Sequence, residues 1–116
     1  MDVSADQNLK IEYEKAIDLY SHGKSAEAIE CLKALLEKDA EFYDAYEALG
    51  MIYYKTGQFD EAIVWTDRLV GKRPDYAMAH TNLSIFYMKK GMKEKAEEEK
   101  AKAVVLNFSK GPKKNP

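Results

Sequence analysis

The sequence predicts an all-α protein, an α-solenoid of three helix–turn–helix repeats, and three observations carry that prediction. The first is a ladder: Gly23, Gly57 and Gly91 are spaced 34 residues apart, and so are Ala28, Ala62 and Ala96. The same interval joins Leu19, Tyr53 and Tyr87, and again Leu35, Leu69 and Ala103. Residue types that recur together at one fixed period mark a repeat architecture. The second is that helix-patterned segments flank each ladder glycine. The third is that every proline lies at or beyond Pro74, so most of the chain is free to be helical.

The interval divides the chain into repeats at 9–42, 43–76 and 77–110, forming one domain. Residues 1–8 are a lead-in and 111–116, with Gly111, Pro112 and Pro116, a flexible tail. Ser4-x-x-Gln7 has the form of a capping box for the first helix. In the second repeat a helix is expected from Asp44 to Thr56, with Gly57 giving the permissive backbone at its end. Asp60 is expected to cap the next helix's free amides, and Pro74 to end that helix after Leu69 and Val70.

A solenoid exposes an apolar face at each end unless something covers it. In the third repeat Glu97 and Lys100 stand where Ile63 and Thr66 stand one repeat earlier, so the last helix reads as its own cap. Val104, Val105, Leu106 and Phe108 form an apolar end, expected to fold back under the last helix pair, with self-association as the alternative.

Tyr46, Leu49, Gly50, Tyr53, Gly57, Phe59, Ala62 and Pro74 fall at spacings that resemble the tetratricopeptide repeat. The third repeat keeps Leu83, Ser84, Tyr87, Gly91, Ala96 and Ala103. The first keeps Ala16, Leu19, Gly23, Ala28 and Leu35, but departs at Glu12 and Lys15, where an aromatic and a Leu are usual. The resemblance implies helix pairs stacked into a right-handed superhelix whose first helices line a concave face. It also implies that Ala28, Ala62, Ala96, Gly50 and Ser84 are scaffold residues permitting close helix approach.

Composition excludes several classes. A single cysteine, Cys31, rules out an internal disulfide or a multi-cysteine metal site. Neither His22 nor His80 has a motif partner, Trp65 reads as packing surface, and no phosphate-cradling loop or carboxylate pair is present. No catalytic, cofactor or metal residue is assigned, and an enzyme is not expected. The start of the chain lacks a signal-peptide pattern and no stretch is long enough to span a bilayer, so a cytoplasmic protein is expected. Charge is uneven: residues 9–42 hold eight acids against five bases, whereas residues 77–110 hold seven bases against four acids. The basic end lacks a nucleic-acid motif, so that partner is disfavoured.

At 100° per residue, the helix face opposite Tyr46, Leu49, Gly50 and Tyr53 carries Glu47, Met51 and Tyr54. Matching positions are Tyr13, Ile17 and Tyr20 in the first repeat, and Met78, Asn82, Ile85 and Met88 in the third. Ile17, Met51 and Ile85 share one repeat position and form an apolar stripe, and Met side chains adapt to a partner's apolar groups. These ten residues are the expected partner-binding groove, although the position of Tyr20 and Tyr54 also serves packing in the family. Some family members clamp the C-terminal carboxylate of heat-shock chaperones with Lys, Asn, Asn, Lys and Arg. The corresponding residues here, Tyr13, Ile17, Ala48, Met78 and Asn82, supply no positive charge, which disfavours that ligand. The expected function is a protein-interaction module, adaptor or chaperone-like, holding a partner's peptide or helix in the groove. The alternative is an assembly protein that forms a homo-oligomer by stacking end to end.

Overall fold

Each ladder glycine closes a helix. Gly23, Gly57 and Gly91 adopt φ of 79°, 82° and 77°, where a side chain would be strained. Gly57 N–H donates to the Tyr54 carbonyl at 3.0 Å and Gln58 N–H to the Tyr53 carbonyl at 2.8 Å. The same paired bonds recur at Gly23–Lys24 and Gly91–Met92, so the Leu19, Tyr53 and Tyr87 ladder supplies the carbonyl that accepts from the residue after each glycine. These bonds satisfy carbonyls that a helix end leaves free.

A computed structural model describes residues 5–109, as six helices. They are α1 (Ala5–Ser21), α2 (Ser25–Lys38), α3 (Tyr43–Lys55), α4 (Phe59–Lys72), α5 (Ala77–Lys89) and α6 (Lys93–Ser109). Helix α1 starts four residues before the first repeat boundary at residue 9. The Ser4 half of the expected capping box and the 111–116 tail lie outside the described residues.

The expected cap at Asp60 is corrected. Helix α4 begins at Phe59, and the Gln58 carbonyl accepts from Ala62 N–H at 3.0 Å. Asp60 is therefore inside the first turn, with no side-chain cap bond at the boundary. It still places negative charge at the positive end of the helix dipole, and it forms an ion pair with Lys90.

Packing is densest within α1–α2, α3–α4 and α5–α6, and next between the second helix of one pair and the first of the next. Small residues set those distances. Ala28, Ala62 and Ala96 are all buried. A Cβ on Gly50 would meet Thr66 Oγ1 at 2.5 Å, the Ala62 carbonyl at 3.7 Å and the Phe86 ring at 3.7 Å. Gly50 thus lets α3 sit against α4 while α5 closes over both. Leu32, Leu35, Leu49, Leu69, Leu83 and Phe86 fill the interior. Each fully buried large apolar side chain of this kind contributes about 1.5–3 kcal/mol.

The expected fold-back of the apolar end is confined to Leu106, which is half-buried and faces Val70, Pro74 and His80. Helix α6 runs 17 residues against 14 for α2 and α4, carrying its last turn beyond the pair. Position 108 holds Phe where the preceding repeat has Pro74, so nothing there forbids continuation. Val104, Val105 and Phe108 remain 58%, 65% and 88% exposed. The polar residues of α6 do not close the end either, because a hollow remains between α5 and α6.

Candidate protein-binding groove

Parallel placement of α1 and α3, both first helices of a pair, leaves a hollow of 450 Å³ between them. Five expected groove residues meet there: Tyr13, Ile17, Tyr20, Glu47 and Met51. Asp44, Ala48 and Ile52 complete the lining. The reason is geometric: residues three and four apart on a helix share a face, and the next repeat presents the same face beside it.

The other expected residues divide differently. Ile85 and Met88, 43% and 50% exposed, line a second 450 Å³ hollow with Ser84, Ala103 and Val104, on the open side of α5 and α6. The Ile17–Met51–Ile85 stripe is therefore shared between two hollows. Tyr54 is half-buried, its ring 5.8 Å from Phe59 and 5.0 Å from Phe86, so it also serves packing. Met78 is 49% exposed. Asn82 is buried, and no hydrogen bond to its side-chain amide is found among the described residues.

Electrostatics distinguish the first hollow. Burial, followed by the Asp44 and Glu47 carboxylates, raises the Tyr13 phenol above its ordinary value. Tyr76 donates to Glu47 Oε1 at 2.8 Å. Burial first, then that bond and the charges of Glu47 and Asp44, push Tyr76 up to about 12. Two carboxylates therefore govern one wall of an otherwise apolar hollow. Asp44 and Ile52 were not among the ten expected groove residues; Ile52 faces the hollow while packing into the core.

The remaining candidates have structural surroundings. Trp65 lies 6.2 Å from the Tyr46 ring, with the Arg68 guanidinium 4.3 Å above it. His80 is buried, bonded to Pro74 and Glu99. His22 is exposed beside the first turn and Cys31 is half-buried. Among the described residues, no cluster of three or more His, Cys, Asp or Glu could hold a metal ion, and no helix is long and apolar enough to cross a membrane.

The helix pairs, their glycine closures and the 34-residue step have a counterpart in sequence comparison: the tetratricopeptide repeat model matches residues 13–77, more than half of the chain. The chain belongs to the tetratricopeptide repeat family. This tetratricopeptide protein also resembles solved structures. A crystal structure of MamA matches with a TM-score of 0.84 and 22% identity, over 88% of this chain and 60% of MamA. The chain thus spans about three fifths of MamA. The type III secretion translocator chaperone SycD of Yersinia enterocolitica gives a TM-score of 0.82 at 24% identity, covering 90% of this chain and 77% of SycD. The second tetratricopeptide domain of Spaghetti (RPAP3), bound to the HSP90 peptide SRMEEVD, gives 0.78 at 19% identity, covering 86% and 93%. At such identities the likeness is one of fold. No curated protein matches the chain.

Proposed function

We propose that this protein is a non-enzymatic binding module whose hollow between α1 and α3 receives a peptide or helix of a partner. The observation that carries the reading is the convergence of Tyr13, Ile17, Tyr20 and Met51 on one open hollow, with Asp44 and Glu47 on its wall. A solvated apolar floor gains free energy when a ligand covers it. The two carboxylates favour a ligand with a basic residue beside its apolar side chains.

The likeness to a tetratricopeptide domain bound to a peptide supports this use of the fold. It does not extend to the same ligand, because Tyr13, Ile17, Ala48, Met78 and Asn82 offer no cation to a C-terminal carboxylate. A cytoplasmic setting fits the composition and is part of the proposal. The exposed apolar residues Val104, Val105 and Phe108 favour a second reading, assembly through the α6 end.

Selection of a displayed random-peptide library against the folded chain tests the first reading. Selected peptides should combine apolar and basic residues and lose binding when Asp44 and Glu47 are both changed to Lys. Peptides lacking that bias, or indifferent to the charge reversal, would place the binding surface elsewhere.

A further inference from the structure

The acidic wall of the α1–α3 hollow is built by a change between repeats. Phe42 and Tyr13 pack ring to ring, with centroids 5.5 Å apart. One period of 34 residues later the same two positions hold Tyr76 and Glu47, and the Tyr76 hydroxyl donates to Glu47 Oε1 at 2.8 Å. A hydroxyl and a carboxylate have thus entered together where the preceding repeat has an aromatic pair.

Tyr76 stands behind the wall: Glu47, Asp44 and Tyr13 line the hollow, and Tyr76 does not. Its backbone is fixed at the start of α5, the N–H donating to the Arg73 carbonyl at 3.1 Å and the carbonyl accepting from Ala79 at 3.1 Å. The Arg73 guanidinium lies 4.9 Å from the Tyr76 ring centroid and 5.5 Å from that of Tyr43. A ring held in this way aims its hydroxyl in one direction. The bond takes one oxygen of Glu47. Among the described residues Oε2 has no hydrogen-bond partner, and neither Glu47 nor Asp44 forms an ion pair.

We propose, resting on the reading of this hollow as a peptide site, that Tyr76 sets its preference for a basic ligand, as a positioning residue that holds the Glu47 carboxylate ready for an ammonium or guanidinium group. A glutamate side chain free in water must be ordered around a ligand's cation, which offsets part of the attraction. Bonded to Tyr76, Glu47 has lost that freedom before the ligand arrives. A carboxylate accepts several hydrogen bonds, so one neutral donor leaves its charge and Oε2 to the ligand. Asp44, exposed and one turn earlier on the same face of α3, has no such tether and adds charge without a fixed direction. The cation is seated at the level of Tyr13 and Glu47, and the ligand's apolar group at Ile17 and Met51, about 6 Å further along the helix axes.

The test uses a peptide selected from the displayed library on the folded chain, prepared also with its basic residue replaced by norleucine. Both are titrated calorimetrically against the wild-type chain, Tyr76→Phe, Glu47→Gln and the double variant. Tyr76→Phe keeps the ring beside Arg73 and should stay folded, which its melting midpoint checks. It should weaken the basic peptide about fivefold and leave the norleucine peptide unchanged. In the Glu47→Gln background the same change should make no difference to either peptide. Equal weakening of the two peptides, or unfolding of Tyr76→Phe, would make the bond a structural staple and overturn the proposal. Unchanged or tighter binding of the basic peptide would overturn it too, as would a weakening that persists in the Glu47→Gln background. These outcomes leave the peptide site standing. If no peptide binds, or bound peptides lack a basic residue or shift the methyl signals of Ile85 rather than Ile17, the peptide-site reading itself fails and Tyr76 has nothing to position.

Discussion

His80 holds two acceptors with one ring: Nε2 lies 2.8 Å from the Pro74 carbonyl and Nδ1 2.7 Å from a Glu99 carboxylate oxygen. One repeat earlier the same positions are Tyr46, Ala40 and Trp65, where the Tyr46 hydroxyl donates to the Ala40 carbonyl at 2.8 Å and its ring packs on Trp65. A contact between an imidazole and a carboxylate has replaced an aromatic pair, while the contact to the loop carbonyl is kept. Both acceptors receive a proton only from a doubly protonated ring, since a neutral imidazole has one N–H. Glu99 also accepts from Lys102 at 3.1 Å.

His80→Phe removes both bonds and leaves the Pro74 carbonyl and the mostly buried Glu99 carboxylate short of a partner. We expect a loss of about 2–4 kcal/mol in chemical denaturation. Glu99→Gln should cost under about 1 kcal/mol, because its amide can donate to Nδ1 of a neutral ring. Equal losses from the two changes would show that the ring acts through its volume alone.

Gly50 carries the second prediction. Alanine improves helix propensity by about 1 kcal/mol, but its Cβ would meet Thr66 Oγ1 at 2.5 Å, and that hydroxyl is buried and bonded to the Ala62 carbonyl at 2.8 Å. We expect overpacking to win, with Gly50→Ala losing about 1–2 kcal/mol net. Combined with Thr66→Ala the loss should be less than the sum of the singles, giving a coupling of about 1 kcal/mol in a double-mutant cycle. Additive losses would separate the two residues.

What could be read from the sequence follows from what repeats. The glycines, alanines and core leucines answer to local geometry that recurs every 34 residues, so their spacing exposed the helices and turns. The course of the last turn of α6 could not be read this way, because position 108 departs from the period: it holds Phe where the preceding repeat has Pro74. The groove was legible in part. Tyr13, Ile17, Met51 and Glu47 share a face and meet in one hollow. Ile85 and Met88 occupy the same repeat positions, but no further first helix stands beside them among the described residues, and they line the hollow of α5 and α6 instead. Glu99 escaped notice because its bond to His80 spans 19 residues and replaces an aromatic contact.

The Tyr76–Glu47 bond makes a pH prediction. Tyr76 is raised from 10.0 to about 12, chiefly by burial and then by Glu47. A raised phenol pKa contributes stability that is complete below the unfolded value and is lost as pH rises through the folded one. Between pH 10 and 12 the wild-type chain should therefore lose more stability than Tyr76→Phe. Parallel denaturation curves over that window would remove Tyr76 as a source of the loss.

The last prediction separates a binding floor from core. Leu49 is fully buried, whereas Met51, two residues on, lines the α1–α3 hollow. Leu49→Glu must bury a carboxylate without a partner, which costs several kcal/mol and consumes most of a small domain's stability. It should unfold the chain. Met51→Glu leaves its charge in water, so its thermal midpoint should change little, within about 1 kcal/mol plus some repulsion from Asp44 and Glu47. Met51→Lys should fold equally well, since the same two carboxylates attract it. Binding of a peptide with apolar and basic residues then distinguishes floor from wall. If the floor carries affinity, both charged variants weaken binding, and a loss of about 2 kcal/mol reads as roughly thirtyfold in Kd. If the acidic wall alone carries it, Met51→Glu tightens binding and only Met51→Lys weakens it. Calorimetric titration of the two variants against one selected peptide decides between these outcomes. Unfolding of both Met51 variants would make the residue core and remove the floor altogether.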